Sequence, residues 1–127
     1  MASLPPAFRR IRLELAREPE HPEGDPADGY DFIAPLDGEG RIDAALWKAN
    51  RDACRVHRFR PGYDDDEIGL LVKDRRGEWI FDYWSGKDDN EKGFRFGEEH
   101  FIVGEYVSVR DGSGKMHTFR VAAVDRV

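Results

Sequence analysis

Apolar and polar residues alternate along most of this chain. Near the N-terminus, Ile11, Leu13 and Leu15 fall on one face of an extended backbone, and the residues between them are charged. A repeat of two residues is typical of a strand with one buried face. From residue 54 to residue 124, similar runs alternate with turn sequences at intervals of about 8–12 residues. This spacing predicts an all-β fold, which is a small antiparallel meander barrel or a curled sheet of about seven strands with one short helix.

Turns that contain glycine indicate where the predicted strands fold back. Residues 74–77 read Asp-Arg-Arg-Gly and lead into a run with alternate aromatic residues, from Trp79 to Tyr83. The strand predicted at 103–110 is followed by Asp-Gly-Ser-Gly and then by a strand at 116–123. Short turns with glycine at a position of positive φ favour β-hairpins. Hairpins are therefore predicted at both places.

The phase of each run predicts which side chains face the core. In the run before residues 74–77, the inward residues are expected to be Ile68, Leu70 and Val72. Aromatic rings give the predicted core much of its buried area. The full predicted core consists of Ile11, Leu13, Phe32, Leu46, Ile68, Leu70, Val72, Trp79, Phe81, Phe101, Val107, Phe119 and Val121.

Residues 17–29 interrupt the alternation with prolines, glycines and acidic residues. Such a composition buries too little apolar surface for a packed element, so a mobile acidic loop is expected here. Alternation resumes at residues 30–36, which predicts a second strand. Pro35 lies within this run and has no N–H group to donate, so this strand is expected at an edge of the sheet.

One segment has helical spacing instead of strand spacing. Asp43 is a suitable N-cap, and Leu46, Ala49 and Ala53 follow it at intervals of three and four residues. A short helix is therefore predicted between the second and third strands, with Trp47 on its flank.

The composition fits a single β-barrel-like domain over residues 1–127. A chain of 127 residues is long enough for one core, and its fifteen aromatic residues supply large surfaces to bury. The formal net charge is −6, and positions 18–40 carry eight acidic residues and no Lys or Arg. A dominant negative field disfavours non-specific binding to nucleic acid or to an anionic membrane, so neither is expected as a partner.

Cysteine usage and the N-terminal sequence predict a cellular location. Cys54 is the only cysteine, so no internal disulfide is expected. The first residues lack the basic and apolar regions of a signal peptide, and no apolar run is long enough to cross a membrane. A cytoplasmic protein is therefore expected.

Three histidines on or beside predicted strands are candidate metal ligands. A barrel could bring His57, His100 and His117 together, as small cupin-type barrels do when they build metal sites. The paired histidines and the following glutamate of the cupin motif are absent. Isolated histidines at strand ends are therefore the competing interpretation, and no cofactor is expected.

A group of arginines gives a second binding hypothesis. Arg55, Arg58 and Arg60 could form a basic face. Nearby rings such as that of Phe59 could stack on bases, as in barrels that bind single strands. Residues 103–109, Val-Gly-Glu-Tyr-Val-Ser-Val, resemble the hairpin of SH3-like barrels. A nucleic-acid-binding barrel of the SH3 or OB type is thus one alternative, and pairing of the arginines with the acidic segment is the simpler explanation.

No catalytic signature is present in the sequence. Cys54 is expected to be a small buried residue, and Asp82, which lies among aromatic residues, is expected to face solvent. Residues 112–115, Gly-Ser-Gly-Lys, lack the upstream glycine and the following Ser or Thr of a phosphate-binding loop. An enzyme is therefore not expected.

The first functional hypothesis is a non-catalytic module that binds a protein or a peptide. It rests on the aromatic residues that follow residue 82 and on the strand edges that a curled sheet exposes. Packing of these rings in the core is the competing explanation. The alternatives are a small-ligand or metal-binding barrel that uses the three histidines, and the nucleic-acid-binding barrel. The predicted binding residues are Tyr83, Trp84, Phe94, Phe96, Arg55 and Arg58.

Overall fold

The computed structural model describes residues 5–19, 22–62, 67–83, 99–110 and 114–127, and the backbone of 94–96. Within these residues the chain forms eight strands, one α-helix and a 3₁₀ turn at Arg51–Ala53. In chain order the elements are β1 Phe8–Leu15, β2 Asp25–Pro35, α1 Ala44–Ala49, β3 Arg55–Phe59, β4 Glu67–Lys73, β5 Trp79–Tyr83, β6 Phe94–Phe96, β7 Tyr106–Arg110 and β8 Met116–Arg126.

The strands form a closed barrel in which each strand pairs with the next one along the chain. Every pairing is antiparallel, and β8 also pairs with β1, which closes the sheet. The predicted all-β meander with one short helix is therefore confirmed. The predicted hairpin near the C-terminus is also confirmed, because β7 pairs with β8 from Tyr106 opposite Arg120 to Arg110 opposite Met116.

Aromatic rings fill the interior of the barrel. The ring centroids of Tyr30 and Phe81 are 4.7 Å apart, and Phe32 lies 5.2 Å from Phe81. The ring of Phe119 lies edge-on to that of Tyr30 at 5.1 Å. The ring of Phe101 lies edge-on to that of Phe32 at 5.4 Å. An eight-stranded barrel is just wide enough for side chains to fill it. The middle of this barrel is accordingly a packed core, and room for a ligand must be sought at its ends or on its outer wall.

The phase predicted for β4 is wrong. Ile68 is 45% exposed, Leu70 and Val72 are half-buried, and Leu71 is completely buried. The run is apolar at nearly every position, so its own pattern does not reveal the inward face. The neighbouring strand decides it, because the inward Phe81 lies directly opposite Leu71.

The inward position next to Leu71 on β4 is a glycine. Gly69 lies opposite Tyr83, whose ring is completely buried. A Cβ atom at Gly69 would come within 2.0 Å of the carbonyl oxygen of Asp82. The absence of a side chain at this position thus lets β4 and β5 approach each other beside the ring of Tyr83.

The second strand differs from its prediction in two respects. It begins at Asp25, so the expected loop at 17–29 ends earlier than predicted. It also pairs on both sides, with β1 and with β3, and the prediction of an edge strand is therefore wrong. Pro35 is nevertheless tolerated because β3 pairs only with residues 29–32, and the proline lies beyond that ladder.

The predicted helix is confirmed, together with its cap. The carboxylate of Asp43 accepts hydrogen bonds from the N–H groups of Ala45 and Leu46, both at 3.1 Å. Trp47, predicted on the flank, is instead the buried residue of the helix. Its ring packs edge-on against that of Trp79, with centroids 5.1 Å apart. The helix therefore lies against the end of the barrel at which β5 begins.

Candidate functional site

A cavity of about 230 Å³ opens at the barrel end that α1 covers; it is called the mouth cavity below. Three separate stretches of chain form it: the turn before α1, the β4–β5 hairpin and the segment before β7. The side chains that decide its chemistry are those of Asp37, Arg41, Lys73, Trp79, Glu99 and Phe101.

Two buried aromatic rings form the inner wall of the mouth cavity. Trp79 is the first residue of β5, and Phe101 packs edge-on against the core residue Phe32. The N–H group of Phe101 donates to the carbonyl oxygen of Gly40 at 2.8 Å, which fixes this segment against the turn before α1. The inner wall is therefore rigid and apolar.

A tight turn forms one side of the rim. The carboxylate of Asp37 accepts hydrogen bonds from the N–H groups of Glu39, at 2.8 Å, and Arg41, at 3.0 Å. These two bonds, first that from Glu39, hold the pKa of Asp37 below its usual value. The backbone N–H groups of the turn thus already bind the carboxylate of Asp37.

Arg41 and His100 form a second fixed group at the rim. The Nδ1 atom of His100 lies 2.8 Å from the carbonyl oxygen of Glu39, so it carries the proton and donates. The Nε2 atom then accepts the hydrogen bond that Arg41 Nε donates at 3.3 Å. Arg41 also pairs with the Glu39 carboxylate at 3.5 Å. The guanidinium is therefore engaged by the protein's own groups.

Lys73 and Glu99 differ from these fixed groups. The ammonium nitrogen of Lys73, which lies at the exposed rim, is 5.2 Å from the centre of the Trp79 ring. Glu99 is half-buried, and its Oε1 atom accepts one long bond of 3.5 Å from the N–H group of Ser108. Burial raises the pKa of Glu99. No ion pair joins Lys73 to Glu99, although both are described and line one cavity.

Tyr83, one of the aromatic residues predicted to bind a partner, does not lie at the surface. Tyr83 is completely buried, because Trp79, Phe81 and Tyr83 alternate onto the inner face of β5. Burial also raises the pKa of the Tyr83 phenol well above its usual value. Tyr83 therefore packs in the core, as the competing explanation had it, and is not part of an exposed binding site. Trp84 and the side chains of Phe94 and Phe96 lie outside the described residues.

The predicted basic face is also wrong, because Arg55 and Arg58 point to opposite sides of β3. Arg55 is exposed on the outer wall, whereas Arg58 is 7% exposed and lies inside the barrel. The guanidinium of Arg58 lies 4.6 Å from the centre of the Tyr30 ring. It donates to the Asp28 carboxylate at 2.5 Å and to the carbonyl oxygen of Gly29 at 2.9 Å. Its role in the described residues is to close the barrel end opposite α1.

The three histidines lie in different parts of the barrel. His57 is exposed on β3, opposite Asp31 of β2. His100 lies at the rim of the mouth cavity, as described above. His117 on β8 faces the carboxylate of Glu18 at 3.3 Å. Among the described residues, no group of three or more His, Cys, Asp or Glu side chains is arranged to hold a metal ion.

A second cavity, of about 270 Å³, runs across the outer wall of β1 to β4 and is called the outer groove below. Arg10 and Asp31 form a two-point ion pair along it, with distances of 2.9 and 2.8 Å. The groove also contains Arg55, which is one of the predicted binding residues. Its outward-facing side chains are Arg10, Asp31, Ile33, Arg55, His57 and Ile68.

The mouth cavity was not predicted from the sequence. Lys73 and Glu99 are two charged residues among twenty basic and twenty-six acidic ones, and three distant stretches must meet to place them together. One signal was present. The hairpin predicted at 74–77 already implies that Lys73 lies opposite Trp79, as the structure has it. The approach of Glu99 to this pair carries no such local signal.

Comparison of the chain with protein-family models, with curated proteins and with solved structures finds no match. Among the described residues, no helix has both the length and the apolar character that crossing a lipid bilayer requires.

Proposed function

We propose that this protein is a binding barrel that holds a small polar molecule in the mouth cavity. The observation that carries the proposal is the composition of that cavity, in which a rigid aromatic inner wall is combined with charged side chains at the rim. Sites for small ligands are concave and combine apolar walls with polar groups that orient the ligand. The mouths of β-barrels are among the places where such sites occur most often.

The size of the mouth cavity limits the ligand. An apolar cavity of about 150 Å³ accommodates a molecule of benzene. The volume of about 230 Å³ therefore suits a small metabolite rather than a nucleotide or a folded protein. This function corresponds to the small-ligand alternative of the sequence analysis, with the mouth residues in place of the three histidines.

The proposal is tested by screening small acids, amines, amino acids, sugars and phosphates for binding to the purified protein. Tryptophan fluorescence reports binding because Trp79 lines the cavity, and ligand-detected NMR confirms each hit. Phe101→Ala should enlarge the cavity and weaken binding, and Lys73→Met should weaken the binding of acids. Lys48→Met is the matched control, because Lys48 is exposed on α1 and does not line the cavity. Acidic hits that Phe101→Ala and Lys73→Met both bind as tightly as the unchanged chain would place the binding site elsewhere.

The second candidate function is the binding of a peptide in the outer groove, and the exposure of Ile68 favours it. Ile68 is 45% exposed and lines the same groove as Ile33, while Arg55 and His57 project from the same wall. A peptide with an apolar side chain next to a carboxylate would match both features. This retains the hypothesis of a protein- or peptide-binding module but moves the site away from Tyr83. A cytoplasmic location is part of both proposals and rests on the single, buried cysteine.

Peptide binding is tested with a displayed library of short peptides. Peptides selected by the protein should contain an apolar residue and an acidic residue, and they should lose affinity for Ile68→Lys and for Arg55→Glu. Arg75→Glu, which changes an exposed arginine in the β4–β5 turn, is the control for charge alone. Equal losses for Arg55→Glu and Arg75→Glu would show a general charge effect and exclude the groove.

A further inference from the structure

We propose that the ligand of the mouth cavity is a zwitterion, an α-amino acid with a small or medium-sized apolar side chain. The inference rests on the proposed function and names its ligand class. In this arrangement Lys73 binds the carboxylate of the amino acid, Glu99 binds its ammonium group, and the apolar side chain lies against Trp79 and Phe101.

Two side chains of opposite charge, Lys73 and Glu99, line the mouth cavity and do not pair with each other. Within the described residues, the ring of Trp79 is the partner that Lys73 has. A ring face attracts a cation but leaves the three N–H donors of an ammonium group available. Lys73 can therefore donate to an anionic group of a ligand without losing a protein partner.

The carboxylate of Glu99 has few hydrogen-bond donors within the described part of the protein. A carboxylate has about four sites that accept hydrogen bonds, and Glu99 uses one of them for a long bond of 3.5 Å from Ser108. The carboxylate is half-buried, so water solvates it incompletely. An ammonium group of a ligand would supply both the missing charge and the missing donors.

The other two charged groups of the lining, Asp37 and Arg41, already have partners in the protein. Asp37 accepts two backbone N–H groups, and Arg41 is held by His100 and the Glu39 carboxylate. Lys73 and Glu99, one of each sign, therefore have fewer partners among the described residues than Asp37 and Arg41 have. A ligand with a single charge would satisfy one of them and leave the other unchanged, whereas a zwitterion satisfies both.

The apolar walls of the mouth cavity indicate that the ligand has an apolar side chain. Trp79 and Phe101 are almost completely buried, and Ile42 and Ala44 complete the apolar lining. A cavity of this volume has room for an aliphatic side chain in addition to the amino-acid head group. The proposed class is therefore that of alanine, valine, leucine and methionine.

The experiment uses isothermal titration calorimetry and ligand-detected NMR on the full chain. L-alanine, L-valine, L-leucine and L-methionine are titrated first. The tightest binder is then compared with the carboxylic acid that lacks its amino group and with the amine that lacks its carboxylate. The amino acid should bind most tightly. Loss of the ammonium group should weaken binding roughly tenfold or more, because it leaves the half-buried Glu99 with only the long hydrogen bond from Ser108, as far as the structure describes its surroundings. Loss of the carboxylate should weaken it about two- to fivefold, because Lys73 is exposed.

Two variants assign these contributions to the named residues. In Glu99→Gln the amino acid and the carboxylic acid should bind equally well, and in Lys73→Met the amino acid and the amine should bind equally well. Circular dichroism and thermal unfolding show that each variant is folded, and Lys48→Met should discriminate as the unchanged chain does.

The outcomes separate the inference from the function on which it rests. If the carboxylic acid or the amine binds as tightly as the amino acid, the zwitterion is overturned and small-molecule binding stands. If none of the four amino acids binds at about 10 mM, roughly tenfold above a millimolar Kd, the zwitterion is also overturned. If no compound of the broader screen binds the cavity, the proposed function falls as well.

Discussion

The indole Nε1 atom of Trp47 donates a hydrogen bond to the backbone carbonyl oxygen of Leu71 at 2.8 Å. The bond joins the helix to β4. A helix of six residues has too few internal hydrogen bonds to be stable alone, so its position depends on such contacts. Because Ala44 of this helix lines the mouth cavity, the Trp47–Leu71 bond also helps to set the shape of the cavity.

Trp47→Phe should lower the free energy of unfolding by about 1–3 kcal/mol. The substitution keeps an aromatic ring against Trp79 but leaves the buried carbonyl group of Leu71 without its donor. Urea unfolding followed by circular dichroism measures the effect. Lys48→Ala, at the next and exposed position of the helix, should change stability by less than about 0.5 kcal/mol. An equal effect of the two substitutions would contradict the anchoring role of the indole.

A second prediction concerns the phase of β4. Leu71→Ala should lower the free energy of unfolding by about 2–5 kcal/mol, because it opens a cavity in the core. Ile68→Ser should change it by less than about 1 kcal/mol, because Ile68 is 45% exposed on the outer wall. Both values are obtained from urea unfolding under the same conditions. A larger effect at Ile68 than at Leu71 would show that the strand faces the other way.

Features that depend on neighbouring residues in the chain were predictable from the sequence. The cap of α1 by Asp43 needs only residues 43–46, and the β7–β8 hairpin needs only two alternating runs and the turn between them. The order of the strands follows from a series of such hairpins, whereas the pairing of β8 with β1, which closes the barrel, joins the two ends of the sheet. Each of these predictions is confirmed because local hydrogen bonding and alternation decide the result.

Features that depend on distant residues were not predictable. The phase of β4 is fixed by the partner strand, since Ile68, Leu70 and Leu71 are equally apolar in the sequence. The inward direction of Arg58 is compatible with alternation, but a buried guanidinium needs partners such as Asp28, Gly29 and Tyr30, which the sequence does not place beside it. The mouth cavity likewise requires Glu99 to approach Lys73 through the closure of the barrel.

A third prediction compares two arginines of one strand. Arg58→Met should lower the free energy of unfolding by about 3 kcal/mol, because Asp28 loses its cation inside the barrel end. Adding Asp28→Asn should recover part of this loss, because the carboxylate that was left without a cation is removed. Arg55→Met, three positions earlier on the outer wall, is the matched control and should cost less than about 0.5 kcal/mol. Similar losses at both arginines in urea unfolding would contradict the inward position of Arg58.

The last prediction concerns Cys54, which is completely buried and donates from Sγ to the carbonyl oxygen of Asn50 at 3.6 Å. Burial raises the pKa of this thiol to about 12, so the folded state keeps the proton at pH values at which the unfolded chain releases it. The thiol should therefore stabilise the fold fully below pH 9, which is the ordinary pKa of a cysteine thiol, and this contribution should be lost as the pH rises from 9 to 12.

Two measurements test this prediction for Cys54. Disulfide-exchange reagents at pH 8 should react with Cys54 only after unfolding by urea. The free energy of unfolding should fall between pH 9 and pH 11 by at most about 1.4 kcal/mol per pH unit more than it does in Cys54→Ala. Rapid labelling of the folded protein, or an identical pH profile for Cys54→Ala, would show that the thiol is accessible.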